Sequence, residues 1–357
     1  MKNNMTYAVE PLRLDKHREA LARLWAENMT DERIASVIPQ RMRWLYEPGP
    51  DGPVTTVLAL YAESGEVVGC GSFFPRSIWV NGRRVRAGVL CDFAVTRAHR
   101  IAGAALAIQR ALVEAGQAAG LELLYGCPNE KAIAVFKRIG YQVVGETTTW
   151  AKPLRSGYKL SEINGWAGPV AALPIDLGLR ALDLVRSARS GLPVRGEVIP
   201  FADGRTDALW ERARAEYCVI GEKSSAYLDW RYGRFVTVEH RIFGIVPRGE
   251  ERLAGYAVYD VKDGKAFVRD LFAEQMEASA GSLLLALAGH LRRQRIDKVS
   301  LSYLGSPAFV ERLRRAGFVL RPGKRPLMIY PWGLGESLRT RFLDPTSWFM
   351  LDGELDI

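Results

Sequence analysis

Apolar positions along this chain follow two periods. Residues 88–95 form a mostly apolar run, and from about residue 103 to residue 117 apolar positions recur at helical spacing. A short loop separates the two, so the region reads as strand, tight loop, helix. The same order is legible twice. A first strand (residues 7–11, and again 197–200) and a helical region precede a strand pair (55–62 with 67–74; 241–245 with 252–259). A central apolar strand, a long helix (103–119; 281–294), a fifth strand (122–126; 298–303), a short helix and closing strands follow. Asn81-Gly82, between alternating segments, signals a two-residue hairpin. The order predicts an α/β fold, a mixed sheet with helices on its faces.

The duplication extends to single residues. Arg43-Trp44-Leu45-Tyr46 recurs as Asp229-Trp230-Arg231-Tyr232, an offset of 230 − 44 = 186, and Gly69 matches Gly255 at the same offset. Asp92 matches Asp270 at 178, and Gly140-Tyr141 matches Gly317-Phe318 at 177. Offsets this constant imply two copies of one domain. The expected organisation is an N-terminal domain over 1–155, a helical linker over 156–195, a C-terminal domain over 196–335 and a tail over 336–357. The linker holds an amphipathic piece, 177–189, whose apolar side would dock between the halves or lie on a membrane surface. Packing is the commoner fate. The repeated Trp and Tyr pairs read as packing residues more readily than as a sugar-binding platform, because both copies carry them.

Composition adds limits. Hydrophobic residues make up 48% and charged residues 25%, ordinary for a soluble globular chain. The balance of 49 basic against 40 acidic residues, net +9, suits a polyphosphate ligand. The basic residues are scattered rather than blocked, so no nucleic-acid partner is expected. Cys70, Cys91, Cys127 and Cys218 lie far apart, which fits reduced thiols and a cytoplasmic location. No His pair has metal-ligand spacing, so no metal is assigned. The longest apolar stretch, 166–185, is broken by Pro169, Pro174, Asp176, Arg180 and Asp183 and is not a membrane span; peripheral contact stays open.

The loop before the long helix carries the chemistry. It has the form Arg100-x-x-Gly103-x-Ala105, with small residues where the backbone turns. A helix start offers unpaired N–H groups and partial positive charge, and Arg100 adds a full one, so the natural guest is a pyrophosphate. The spacing is not that of the dinucleotide fingerprint G-x-G-x-x-G. Downstream come Leu123-Leu-Tyr-Gly-Cys-Pro-Asn129 and then Ala132-x-x-x-Phe136-x-x-x-Gly140-Tyr141. Together, in this order, these motifs resemble the GNAT acyltransferase superfamily: its acyl-CoA loop, fifth strand, Asn, following helix and closing Gly-Tyr. The resemblance implies two tandem GNAT-like domains, each a mixed, mostly antiparallel sheet flanked by helices, with acetyl-CoA or another acyl-CoA as co-substrate.

The resemblance also assigns roles. The backbone amides from Ile101 through Ala102, Gly103 and Ala104 to Ala105 would hold the diphosphate beside Arg100, so the side chains of Ile101 and Ala102 matter little. Phe93, Ala94 and Val95, where the central strand splays from its neighbour, would bond the pantetheine arm and the acyl carbonyl. Asn129 would contact CoA, cap the next helix, or both. Phe136 stands where many relatives carry a proton-donating Tyr. It would pack on the cofactor arm, leaving protonation of the thiolate to water, to Tyr125 or Tyr141, or to none. Asp92 is the candidate general base. Its counterpart Asp270 lies in a half whose loop reads Glu274-Gln-Met-Glu277-Ala278, with Ala278 at the place of Arg100 and Gly281 at that of Gly103, so a structural acid is an equal reading. Acidic side chains there oppose phosphate, and the C-terminal half is expected not to bind acyl-CoA. Cys127 reads as an inert thiol rather than a nucleophile.

The expected reaction is transfer of an acyl group, acetyl first, to the primary amine of a small molecule. Tandem architecture resembles proteins of envelope assembly, which suggests an amino sugar of surface polysaccharide. The alternatives are a Fem-like aminoacyl transferase and a non-catalytic CoA-binding sensor or scaffold. The sequence is silent on oligomeric state.

Overall fold

A computed structural model describes residues 6–28, 36–100, 103–157, 168–189, 192–201, 203–234 and 237–355. The N-terminal half contains β1 (Tyr7–Pro11), α1 (Leu14–Asn28), α2 (Ile38–Tyr46), β2 (Thr55–Tyr61), β3 (Val67–Val80) and β4 (Arg83–Val95). It continues with α3 (Ala104–Ala118), β5 (Leu123–Gly126), α4 (Glu130–Ile139) and β6 (Gln142–Pro153). Helix α5 (Gly168–Arg189) connects to β7 (Val194–Ile199), α6 (Gly204–Ala213), β8 (Val219–Gly221), α7 (Ser225–Leu228), β9 (His240–Pro247) and β10 (Gly255–Lys262). Then come β11 (Lys265–Ala273), α8 (Met276–Arg293), β12 (Lys298–Gly305), α9 (Pro307–Arg315), β13 (Val319–Pro331), α10 (Glu336–Leu343) and β14 (Phe349–Leu351).

The strands form one sheet, in the order β1-β2-β3-β4-β5-β13-β6-β12-β11-β10-β9-β7. The two halves exchange their last long strands. β13 of the second half lies between β5 and β6, pairing Ile329 with both Tyr125 and Gln142. β6 of the first half in turn runs beside β12, with Leu301 opposite Trp150. Among the described strands β4–β5 and β11–β12 pair in parallel and the other pairs are antiparallel, so each half is mixed and mostly antiparallel. Asn81 and Gly82 both have positive φ, +48° and +82°, as the two-residue hairpin between β3 and β4 requires.

The core follows the exchange. One cluster joins α3 and α4 to the N-terminal strands through Ile108, Leu112 and Phe136. Another mixes the halves, setting Trp25 and Trp44 among Trp230, Met350 and Trp348. Trp44 and Trp230 stack with centroids 5.1 Å apart, and the Trp44 indole donates to the Trp230 carbonyl at 2.7 Å. The repeated tryptophans therefore meet at the join of the two copies, where they pack.

The second half departs from the sequence reading at its loop. Helix α8 begins at Met276, five residues before Gly281, which lies inside the helix. The left-handed residue that opens it is Gln275, φ +44°, as Gly103, φ +96°, opens α3. Met276 to Ala280 are mostly helix-favouring and extend the helix backwards. β11 ends at Ala273, so almost nothing remains of the loop that spans residues 96–103 in the first half. Glu274 is ion-paired with Arg212 and Arg252, so it is neutralised rather than left to repel a phosphate.

Candidate functional site

The site grows from a break in pairing. β4 and β5 pair in parallel from Ala87–Leu123 to Val89–Tyr125 and then separate. Beyond that point β4 bulges: Cys70 faces Ala94 but Ser72 faces Cys91, so Asp92 and Phe93 together oppose Gly71. A bulge of this kind re-aims backbone and side chains. Asp92 takes φ +49°, a left-handed conformation that Asp tolerates better than most residues. The Thr96 N–H bonds Val68 O at 2.9 Å, and strand alternation therefore turns the polar groups of Val95 away from β3, toward the gap.

The gap is a cleft of about 180 Å³. Asp92 and Phe93 line it from β4, Cys127 and Asn129 from the end of β5, Phe136 from α4 and Gln109 from α3. The second half closes it with Arg325 of β13 and with Leu355. Phe136 lies edge-on to Phe93, centroids 6.1 Å apart, and packs on Tyr141 behind. Asn129 caps α4 by accepting from the Ala132 N–H at 3.1 Å while still facing the cleft. Burial pushes the Cys127 thiol up to about 12, so it is not a ready nucleophile.

Asp92 is buried and ion-paired: Arg41 Nη2 lies 2.8 Å from its Oδ1, with both side chains at most 2% exposed. The counterpart Asp270 is also paired, with Lys223 Nζ at 2.7 Å, and accepts from the Tyr232 hydroxyl at 3.2 Å. Burial nevertheless raises the Asp270 carboxyl above its ordinary value. Both acids sit beside bulges in their strands, each held by a buried cation, and Asp92 lines the cleft.

β4 runs on into the loop that enters α3. Gly103 is its left-handed hinge, with open space where a Cβ would stand, so its requirement is conformational. Ala104 and Ala105 begin the helix and are buried against the sheet. Arg100 is exposed; its Nε donates to Val95 O at 3.0 Å and its Nη2 to Asn28 Oδ1 at 2.9 Å, tying the loop to the strand end. Ile101 and Ala102 lie outside the described residues. Ala94 pairs with Cys70, directly beside the bulge.

Several lining residues were not singled out from the sequence. Gln109 is fully buried, and neither its amide oxygen nor its amide nitrogen has a protein partner. Its signal was a polar residue in the apolar stripe of α3, between Ala105 and Leu112. Gly71, whose Cβ would stand 2.7 Å from Ile108, lets α3 approach closely enough to bring Gln109 to the cleft. Ser72 heads a hydroxyl chain, 2.7 Å to Thr56 and 3.1 Å onward to Tyr46. Arg325 and Leu355 reach the site only through the strand exchange and the C-terminal turn. Tyr125 and Tyr141, the proposed alternative proton donors, are buried outside the lining, and the Tyr125 hydroxyl donates to Glu354 O at 3.1 Å. Burial raises both phenols far from useful acidity.

In the second half β14 takes up part of the equivalent gap, and a cavity of about 450 Å³ remains between the start of α8 and the end of β12, lined by Gln275, Met276, Tyr303, Ser306 and Phe309. β11–β12 pairing ends at Val268–Leu301, and β14 enters beyond it, pairing Tyr303 with Leu351 and Gly305 with Phe349. The turn behind β14 carries Glu354, clamped by Arg76 at 3.0 Å and by Lys223. Burial opposes its charge, yet Arg76 and Lys223 hold the Glu354 carboxyl below its ordinary value.

Residues 18–141 match the acetyltransferase (GNAT) family, a span running from within α1 to the closing Gly-Tyr. No curated protein matches the sequence. Similar folds include a probable N-acyltransferase from Enterococcus faecalis V583, 12% identical with TM-score 0.61, covering 92% of this chain and 73% of that one. A GCN5-related N-acetyltransferase from Anabaena variabilis is 14% identical with TM-score 0.61, over 91% of this chain and 72% of its own. The Saccharomyces cerevisiae N-myristoyltransferase with bound myristoyl-CoA is 11% identical with TM-score 0.56, over 92% and 83%. At these identities the likenesses concern the fold. The family match lies on the half that carries the splayed strands and the loop, so residues 18–141 form a domain of the acetyltransferase (GNAT) family.

Proposed function

We propose that this chain transfers an acyl group, acetyl first, from CoA to a primary amine in a ternary complex, using the N-terminal cleft alone. The carrying observation is the parting of β4 from β5 at a bulge, followed in the chain by a left-handed glycine that opens a helix. The amides at the start of α3 and the Arg100 charge suit a diphosphate. The strand groups of Phe93, Ala94 and Val95 suit the pantetheine arm and the developing oxyanion, with Asn129 and Phe136 against the arm. Gln109, buried with both amide atoms unpaired, offers one donor and one acceptor to a ligand amide or carbonyl. The second half lacks the loop and the Arg100 equivalent, because α8 starts at Met276, while Arg325 and Leu355 give that half part of the acceptor wall.

The amine nitrogen attacks the thioester carbon, the tetrahedral intermediate collapses, the C–S bond breaks and CoA leaves as thiolate. Asp92 is the proposed proton acceptor, directly or through water; its Arg41 pair also fits a purely structural duty. Water is the proposed source of any proton taken by the thiolate. The four free cysteines fit a cytoplasmic site of action. An amino sugar is the first acceptor class to try, for its small primary amine.

Calorimetric titration with acetyl-CoA and a thiol-release assay test the reading. Arg100→Glu with Gly103→Val is expected to abolish measurable CoA affinity while the protein stays folded. Unchanged affinity would misplace the site. CoA binding without thiol release on any amine would favour a sensor, a reading kept open by Phe136 and by the absence of Tyr125 and Tyr141 from the lining.

A further inference from the structure

Helix α5 is inside out. An ordinary surface helix turns its apolar stripe to the core and its charges to water. Here both acids of the helix face the protein: Asp176 accepts from the Ser156 N–H at 2.7 Å, and buried Asp183 pairs with Lys152 at 2.6 Å and with Arg292. Leu173, Ile175, Leu177, Leu182, Leu184 and Val185 face outward, 47% to 73% exposed. They account for most of the large apolar side chains exposed among the described residues. A patch this concentrated marks a contact surface rather than random exposure.

The charges around the patch select its partner. Arg180 and Arg189 are exposed on the helix, and Arg248 and Arg293 are exposed along the groove between α5 and α8. With both acids turned inward, the helix offers no exposed carboxylate. A second copy docked symmetrically on this face would bring like charges together with no helix acid to pair them. An anionic bilayer satisfies both features, taking the leucines below the headgroups and the arginines among the phosphates. The helix is not built to cross: no described helix is long and apolar enough to span a membrane. Nor does it obstruct the cleft. Its anchor Lys152 lies nine residues along β6 from Val143, which is level with Gly126 across β13, a separation of roughly 30 Å at strand rise.

We infer that α5 docks this protein, peripherally, on an anionic lipid surface. Flotation of the full chain with phosphatidylcholine vesicles, with and without phosphatidylglycerol, tests it. Binding is expected only with phosphatidylglycerol and should fall as salt rises. Leu177→Glu with Leu184→Glu should abolish flotation. Arg180→Glu with Arg189→Glu should weaken it on the order of tenfold or more. Both variants should keep the wild-type circular dichroism and melting transition, since the altered residues are exposed. The inference is overturned by absent flotation of the wild type, or by flotation that Leu177→Glu with Leu184→Glu leaves intact. It is equally overturned if sedimentation velocity finds a dimer that the leucine variant dissolves while vesicles recruit nothing.

Discussion

At the scale of single residues, the candidate site separates side chains that stabilise from side chains held in reserve. Gln109 belongs to the second kind. A buried amide without partners costs about 1–3 kcal/mol, so Gln109→Leu should raise the urea midpoint of the free protein. The same change should weaken acetyl-CoA binding or lower kcat/KM by about tenfold, because the amide's partner arrives with the ligand. A variant less stable and equally active would reduce Gln109 to a packing residue. Asp92 is tested differently. Asn keeps the left-handed backbone at φ +49° but removes the charge facing Arg41. If Asp92 accepts the proton, Asp92→Asn should cut kcat by about 10²–10⁴ with CoA affinity held, and abolish the acid limb of the pH–rate profile. Parallel loss of stability and affinity, with the profile's shape kept, would leave it a structural acid. Gly103, Asp92, Asn129 and Phe136 were legible in the sequence because each sits in a short motif. Gln109 was visible only as an anomaly in an apolar stripe, and Arg325 not at all, since nothing local links it to a cleft more than 180 residues upstream.

At the scale of elements, strands and the long helices followed from period and turn chemistry, whereas their ends and fillings did not. The sequence places the second long helix at Gly281 by analogy with Gly103; local helix preference starts it at Met276 and consumes the loop. Residues 336–357, read as a tail, contain α10 and β14, and β14 is too short to announce itself by alternation. Its seating depends on buried charge: Lys223 bridges Asp270 and Glu354, with its side chain 1% exposed. Lys223→Met should therefore cost about 3–5 kcal/mol at neutral pH, because two carboxylates lose their shared cation. The pH dependence has a defined sign. The buried Asp270 carboxyl, already raised, goes higher without Lys223, so the neutral form becomes the one the fold prefers. That stability is present below the unfolded carboxylate value and is lost as pH rises through the folded one. The deficit of the variant, read from urea midpoints, should shrink on acidification relative to wild type. A deficit constant with pH would move the cost from charge to packing.

At the scale of the whole molecule, the order of elements was legible and the exchange of strands was not. Period-two patterning says which face of a strand is buried; it does not say which strand lies beside it. β6 and β13 are alike in length, and only the folded arrangement sets each beside the other half's fifth strand. The consequence is that neither half is a complete folding unit. Residues 1–157 alone would leave β5 without β13, strip β6 of its neighbours on both sides, and uncover Trp44 where Trp230 stacks. Open edges and bared aromatics of this kind lead to aggregation. Fragments 1–157 and 158–357 should therefore be insoluble or molten when expressed singly, and should co-purify through a tag on either one when expressed together. The assembled pair should melt cooperatively and bind acetyl-CoA as the intact chain does, since the cleft needs Arg325 and Leu355 from the second fragment. A monomeric 1–157 fragment with a sharp melting transition and full CoA affinity would make the exchange dispensable and the halves independent domains. If the exchange is what couples them, the linker from β6 to α5 need not be continuous for assembly, only for keeping the two fragments at high effective concentration.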